Sequence, residues 1–432
     1  MNATYRYWIF AAGAALTLAS CRQDTPALPT QSGDATVITF NSPYTVDSRS
    51  NAMRGGNFET GDKVGVLGYC IASNQGVDIS TSPWNTKKPF CTPDVFYNQE
   101  LEYSGTGMWN YTWTGGSGAW QDYDPVGDLH PWANYENYTY SFFAYYPYAD
   151  LTQQRDGTYS GNIEIEGLTG DDRNGFGTIT LSGADETGDP TITYTIPFST
   201  SGNTRSQRRW WHVPDFMLAY KIDHKKQDGS VSLDFRHIFS ALEFEINNYT
   251  NEEVVIEELY FGGGTQSGSQ ETRTAGFYRE VSVTGQQSDY TVDKTVSNTY
   301  VGEFQLIGRE ETEDEHMLID FTCPASTTEA IPITYNDSPI SLLFIPDENG
   351  ALTTDNNESI YIRIDAHTVG GTQLANDEER HLNLVNMTFR PGIRNIFSIN
   401  IIGNDFYIQM RSDGSWDDGS WDDGGESNIV FE

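Results

Sequence analysis

Tyr138-Thr139-Tyr140-Ser141-Phe142-Phe143-Ala144-Tyr145-Tyr146 is apolar or aromatic at nearly every position. Successive side chains of a strand point to opposite faces, so this run predicts a central strand buried on both sides. Outward from it the pattern changes to alternation. Val231, Leu233 and Phe235 are separated by polar residues, and so are Leu242, Phe244 and Ile246. The same period of two returns at Ile360, Ile362 and Ile364 and at Phe397, Ile399 and Ile401. Gly, Asn, Asp and Pro punctuate the runs. Short alternating strands between turn residues predict an all-β chain built as a pair of β-sandwiches.

With 432 residues, two domains are the soft expectation. The charged, turn-like stretch His224-Lys225-Lys226-Gln227-Asp228-Gly229 lies between two strand runs and is the natural boundary. A first sandwich is expected over residues 36–226 and a second over 227–411. The Asp/Gly-rich stretch from Gly161 to Gly202 reads as an insertion or long loop. Nucleic acid is excluded as a partner by the formal net charge of −36, because phosphate would be repelled. The same charge opposes lying flat on an anionic membrane and keeps a surface protein soluble.

The start of the chain sets its location. Arg6 is the only charged side chain ahead of an apolar stretch from Trp8 to Leu16, and Leu18-Ala19-Ser20-Cys21 follows. A basic start, a short apolar segment and small residues at a cut site describe a secretory signal over residues 1–20. The stretch is too short to span a bilayer, which takes about 20 residues. Leu-Ala-Ser-Cys resembles the lipobox of bacterial lipoproteins, which makes Cys21 the expected lipidation site. Polar, Pro-containing residues 21–35 then read as a lipidated tether.

Three further cysteines remain, Cys70, Cys91 and Cys323. An odd count allows at most one disulfide; Cys70 and Cys91 could pair or stay as two buried thiols. No catalytic constellation is visible, and the sequence calls for no cofactor and no metal site. Gly262-Gly263-Gly264 lacks the Lys-Ser/Thr of a phosphate loop and reads as a glycine loop. His237, beside a strand, reads as a hydrogen-bonded core residue. Trp109, Trp113, Trp120 and Trp132 could stack on sugars, although core and loop-anchoring roles are the plainer reading.

Residues 412–432 form an acidic tail. Gly414-Ser415-Trp416-Asp417-Asp418 repeats as Gly419-Ser420-Trp421-Asp422-Asp423, and the β-prone Ile429-Val430-Phe431 lies beyond the linker. Solvated acidic linker is favoured over a Ca²⁺ site, since the spacing of an EF-hand loop is missing.

Several segments together resemble the fimbrillin family of the Bacteroidales. They are Ile38-Thr39-Phe40, Phe58-Glu59-Thr60-Gly61-Asp62-Lys63-Val64-Gly65-Val66, Phe96-Tyr97-Asn98-Gln99 and Tyr140 to Tyr148. Pro214-Asp215-Phe216-Met217-Leu218-Ala219, Val231 to His237 and Arg390-Pro391-Gly392 complete the order. The resemblance implies two transthyretin-like β-sandwich domains in tandem and a structural, non-enzymatic role in type V fimbriae. It implies an outer-membrane lipoprotein cut by a trypsin-like protease after an Arg in the loop following the first strand. The lipidated strand then leaves, and an extended segment of another subunit fills the groove. Arg49 and Arg54 fall in that loop and are the candidate processing sites; Ile429, Val430 and Phe431 are the candidate donor strand. The expected partners are other fimbrial subunits and, through the lipid, the outer membrane. The long Trp-Asp-Asp linker departs from a shaft subunit and leaves an anchor or tip role open. The alternative is a non-polymerising surface lipoprotein that binds glycan or host protein.

Overall fold

The stretch that decides the fold forms strand β5 (Thr139–Tyr146) in a computed structural model of the chain. The structure describes residues 37–42, 58–70, 80–91, 93–111, 130–132, 137–155, 157–163, 176–182, 190–196, 206–209, 213–263, 277–284, 293–300, 302–308, 318–319, 321–335, 338–346, 360–382 and 389–415. All belong to one contact unit, Asp34–Glu432. The chain is an all-β protein. Its one α-helix among the described residues, α1 (Trp84–Lys87), is a single turn that continues as a 3-10 turn over Lys88–Phe90.

β5 lies inside an eight-stranded sheet. The order is β12 (Val231–Ser232), β1 (Phe40–Asn41), β4 (Met108–Tyr111), β3 (Phe96–Tyr103), β2 (Lys63–Tyr69), β5, β11 (Met217–Lys225) and β13 (Arg236–His237). Both faces of β5 are buried, as its composition requires. Tyr140, Phe142 and Ala144 enter one core cluster, while Phe143 and Tyr145 enter the other.

Connectivity forces this sheet to curl. Its two ends, β12 and β13, are joined by Leu233-Asp234-Phe235 alone. Four Cα steps reach at most about 14 Å. A flat path across eight strands would need about 34 Å at ~4.8 Å per spacing. The sheet therefore wraps around the cluster holding Ile38, Phe40, Val64, Val66, Phe96, Phe142, Val231 and Leu233. Direct ring contacts confirm the wrap: Phe40 of β1 meets Phe142 of β5 at 5.4 Å although three strands separate them in the sheet.

A six-stranded sheet packs on the other face. Its order is β17 (Asp293–Tyr300), β16 (Phe277–Thr284), β9 (Thr191–Thr195), β8 (Thr178–Ser182), β7 (Tyr159–Asn162) and β6 (Thr152–Gln153). Ile179, Leu181, Ile192 and Tyr194 alternate inward from Thr-rich strands and join the larger cluster with Leu67, Tyr69 and Tyr145. The stretch from Gly161 to Gly202 thus holds two paired strands where an insertion or loop was expected. Its Asp and Gly residues mask the Thr-Ile-Thr-Leu and Thr-Ile-Thr-Tyr alternation.

Two further sheets face each other. One runs β10 (Ser206–Arg209), β18 (Gly302–Gly308), β15 (Val254–Gly263), β25 (Ile360–Thr368) and β26 (Gln373–Leu382), with β19 (Leu318–Ile319) and β20 (Phe321–Cys323) attached. The other runs β21 (Ile331–Pro332), β14 (Ser240–Asn248), β27 (Ile393–Ile402) and β28 (Asp405–Ser415), with β24 (Ser341–Phe344) on β14. β22 (Thr334–Tyr335) and β23 (Ser338–Pro339) form a separate pair. Phe261 meets Phe244 at 5.9 Å and Phe397 at 5.8 Å, which closes the sandwich. The expected alternations at 242–246, 360–364 and 397–401 are its core.

Pairing crosses residue 226. β12 and β13 complete the first sheet, β9 pairs with β16, and β10 pairs with β18. The turn at 224–229 is present, with Gly229 at a φ of +82°, yet β11 and β12 on either side of it lie in one sheet. Gly262 and Gly263 lie within β15, not in a loop. At Gly262 a Cβ would stand 2.3 Å from the Tyr361 ring, so the missing side chain makes room for that ring. β28 extends to Ser415 and takes in the first Gly-Ser of the acidic repeat.

Candidate functional site

β1, like β12 and β13, is only two residues long, and it sits between two partners of opposite sense. It runs parallel to β12, with Phe40 opposite Val231, and antiparallel to β4, with Phe40 opposite Trp109. The Ile38 amide donates to the His130 carbonyl at 2.9 Å and the Ser42 amide to Gly107 at 3.0 Å. On the other side the amides of Val231 and Leu233 donate to the carbonyls of Thr39 (2.7 Å) and Asn41 (2.9 Å). Tyr111 adds a hydroxyl bond to the Ile38 carbonyl at 2.6 Å.

Alternation decides which side chains anchor the strand. Ile38 and Phe40 are both 0% exposed, while Val37, Thr39 and Asn41 are only half-buried. The Phe40 ring is held edge-on by Phe142 (5.4 Å), Phe96 (5.6 Å) and Tyr111 (6.2 Å), the arrangement aromatic quadrupoles favour. Thr39 faces the other way, and its hydroxyl lies 2.8 Å from that of Ser230. Withdrawing β1 would therefore open a slot with two large sockets, two residues apart, between two strand edges with unpaired backbone groups.

The chain re-enters at Phe58. Its ring packs on Trp109 (4.7 Å), Phe235 (5.1 Å) and Tyr146 (5.3 Å). Residues 43–57, with Arg49 and Arg54, connect this anchor to β1 and lie outside the described residues, as do Cys21 and the tail residues Ile429, Val430 and Phe431.

Other residues singled out in the sequence and described in the structure are structural; Trp113 and Trp120 lie outside the described residues. His237 is buried and its Nδ1 lies 2.8 Å from Asp215. Trp109 and Trp132 are buried core residues and offer no exposed face to a sugar. Cys70, Cys91 and Cys323 are free, buried thiols. Burial pushes Cys70 up to about 12 and Cys91 and Cys323 up to about 11, so all three are protonated and unreactive at neutral pH.

Two features escaped sequence reading. Lys87 is buried, with Nζ donating to the carbonyls of Cys70 (3.1 Å), Ser80 (3.3 Å) and Thr139. It ties the segments flanking α1 to β5, and nothing in Asn85-Thr86-Lys87-Lys88 tells which lysine is buried. β12 is the other. Val231-Ser232-Leu233 looked like the opening of a second domain, yet it forms one wall of the β1 seat. The turn-forming Gly229 was the available signal.

Comparison with known proteins follows the same lines. A model of the fimbrillin-like family matches residues 186–406, or 221 of 432 residues. A comparison with curated proteins finds no relative. Among solved structures, a fimbrial protein from Bacteroides vulgatus is 16% identical with a TM-score of 0.53, over 88% of this chain and 99% of that one. A candidate cell adhesion protein from Bacteroides uniformis is 11% identical with a TM-score of 0.40, over 89% and 100%. Another from Bacteroides ovatus is 13% identical with a TM-score of 0.40, over 87% and 95%. The first likeness shows a shared fold.

Proposed function

The chain belongs to the fimbrillin-like family, a family of structural proteins and not of enzymes, and on that premise we propose that it is a surface-anchored subunit of a type V fimbria that assembles by strand exchange at the seat of β1. In this reading Cys21 carries the lipid that delivers the subunit to the outer membrane, and its role is in adhesion. The observation that carries the proposal is the seat itself. β1 is two residues long, its segment is anchored by only two buried apolar side chains, Ile38 and Phe40, and it separates two strand edges that another chain can pair. Cleavage after Arg49 or Arg54 would leave β1 on one piece and the Phe58 anchor on the other.

The donor in this proposal is the tail of another copy. Ile429-Val430-Phe431 repeats the spacing and order of Ile38-Thr39-Phe40. Ile429 and Phe431 then take the two sockets, and Val430 takes the place of Thr39 opposite Ser230. The same spacing also occurs at Ile196-Pro197-Phe198, where the proline lacks an amide to donate, and at Ile319-Asp320-Phe321, whose flanking residues lie in β19 and β20.

Mass spectrometry of surface-purified protein is the test. A mature start at acylated Cys21 marks the anchored form, and a start after Arg49 or Arg54 marks the processed one. A start at an unacylated residue upstream of Thr36 sinks the proposal. Processed protein should form ladders that vanish on deleting residues 428–432. In a Ser230→Cys, Val430→Cys variant those ladders should become disulfide-linked between copies, whereas Ser230→Cys with Ile429→Cys should not cross-link.

A further inference from the structure

β28, at 11 residues the longest strand among the described residues, lies at the edge of its sheet, and β27 is the one described strand that pairs with it. The register tells which way its backbone groups point. The Ile401 carbonyl accepts from the Tyr249 amide, which follows β14, on the side of β27 away from β28. Successive residues of a strand turn their backbone groups to alternate sides. Those of Ile402, Asn400 and Ser398 therefore face β28, where their partners are Asp405, Tyr407 and Gln409. Phe406, Ile408 and Met410 are left with amides and carbonyls turned outward, away from β27.

A long, regular edge is a template for another strand, and folded proteins blunt such edges with bulges, charges or brevity. The nearby edge of the facing sheet is blunted in this way. β26 makes two register shifts against β25 and holds Asp377 at a φ of +53°. β28 makes one shift, at its far end opposite Ile393 and Asn395, and runs without one from Asp405 to Ser412. No Pro or Gly stands in Asp405-Phe406-Tyr407-Ile408-Gln409-Met410-Arg411-Ser412, and its only charged residues are Asp405 and Arg411. Asp405 is 65% exposed, with Arg380 of β26 at 3.8 Å.

We infer that β28 pairs antiparallel with β28 of a second copy of this chain, about a two-fold axis at Ile408. In that register Ile408 opposes Ile408, Phe406 opposes Met410, Tyr407 opposes Gln409 and Asp405 opposes Arg411. The buried Phe406, Ile408 and Met410 lie on the core side of the strand, so core residues meet core residues and the two sheets become one. Their outward backbone groups then exchange two bonds at each opposed pair. The two charges of this segment oppose one another, once at each end by symmetry. Other axes lose this match. At Gln409 Asp405 would face Asp413, and at Tyr407 Arg411 would face Gly403 of the turn; an axis between residues would set the core face against the wet one. The contact is isologous and closes at two copies. It uses neither β1 nor Ile429-Val430-Phe431, so it stands whether or not strands are exchanged.

Disulfide trapping in the full chain tests this, on an equal mixture of a Tyr407→Cys chain and a Gln409→Cys chain. Positions 407 and 409 form a non-hydrogen-bonded pair about 4.5 Å apart at Cα, within reach of a disulfide. Mild oxidation should give a covalent dimer whose peptides join position 407 of one copy to 409 of the other. The unaltered chain should sediment as a dimer. Asp405→Arg alone, or Arg411→Asp alone, sets like charges opposite one another and should weaken association by at least about tenfold. Mixing these two variants, or combining both changes in one chain, should restore it, which a folding defect in either could not do. A monomeric chain, no link between 407 and 409, or no rescue on mixing would each overturn the inference. A link that forms only after residues 416–432 are deleted would overturn it too, by giving this edge to the chain's own tail. Loss of ladders on deleting residues 428–432 with the link intact would separate it from the strand-exchange reading.

Discussion

Replacing Phe40 by alanine should free β1 from its seat while the rest of the chain stays folded. Phe40 is fully buried and held by three aromatic rings at 5.4, 5.6 and 6.2 Å. Truncating such a ring costs about 3–5 kcal/mol. At 1.4 kcal/mol per decade, that favours local opening by roughly two to three and a half powers of ten. Hydrogen exchange reads this site by site. The amides of Val231 and Leu233 are protected by the Thr39 and Asn41 carbonyls, so they should exchange faster, up to the limit at which β1 is simply open. The Ile333 amide, bonded to Phe244 at 2.8 Å within the second sandwich, should keep its wild-type rate. If Val231 and Leu233 stay protected, Phe40 is not the anchor. If all amides lose protection together, β1 is not separable from the body, and the argument for strand exchange loses its physical basis.

Two further outcomes are expected. Lys87→Met would leave the Cys70, Ser80 and Thr139 carbonyls without their shared donor; it should cost about 3 kcal/mol or more and lower the thermal midpoint, and an unchanged midpoint would show the ammonium to be dispensable. His224 is buried beneath Trp132, and burial lowers its imidazole below the ordinary value of 6.5 despite the Gly229 carbonyl bond at 3.0 Å and nearby Asp228. Its contribution is full above pH 6.5. As pH falls from there towards the lowered folded value, the unfolded chain takes up the proton first and stability declines, by at most about 1.4 kcal/mol per pH unit. His224→Gln should flatten that part of a urea-denaturation pH profile, and an unaltered slope would assign the acid sensitivity elsewhere.

Much of the architecture was legible because apolar and polar residues alternate along its strands. Val231 and Leu233, Leu242, Phe244 and Ile246, and Phe397, Ile399 and Ile401 are all buried, and the intervening Glu243, Ser398 and Asn400 are buried with them, held by hydrogen bonds. The aromatic-rich β5 was legible because both its faces are dry. What the sequence hid was partner choice. Nothing in Val231-Ser232 says that it closes a sheet begun at Phe40, because pairing between strands 191 residues apart is fixed by the curl of the whole sheet. Ile38 and Phe40 were visible as a strand, but their sockets were not, since Phe96, Tyr111 and Phe142 come from three separate strands. The exposure of Phe90, Tyr249, Val369 and Ile402 was illegible for a simpler reason: the exposure of a single apolar side chain has no periodic signature.

The brevity of β1 carries its own argument. Burying Ile38 and Phe40 contributes about 1.5–3 kcal/mol each, and the four amide bonds and the Tyr111 bond about 0.5–1.5 kcal/mol each. Ordering six residues from 37 to 42 costs about 1–2 kcal/mol per residue. Gains and cost are both near 10 kcal/mol, so the contacts alone leave β1 close to indifference. What keeps it seated is connection to the Phe58 anchor through residues 43–57, which holds a short strand at high effective concentration beside its own slot. A single cut after Arg49 or Arg54 removes that advantage without touching one contact in the seat. A longer first strand, with a third or fourth buried side chain, would stay after the cut. Under the proposed strand exchange, two sockets would suit a strand held securely while attached and exchanged readily after a cut.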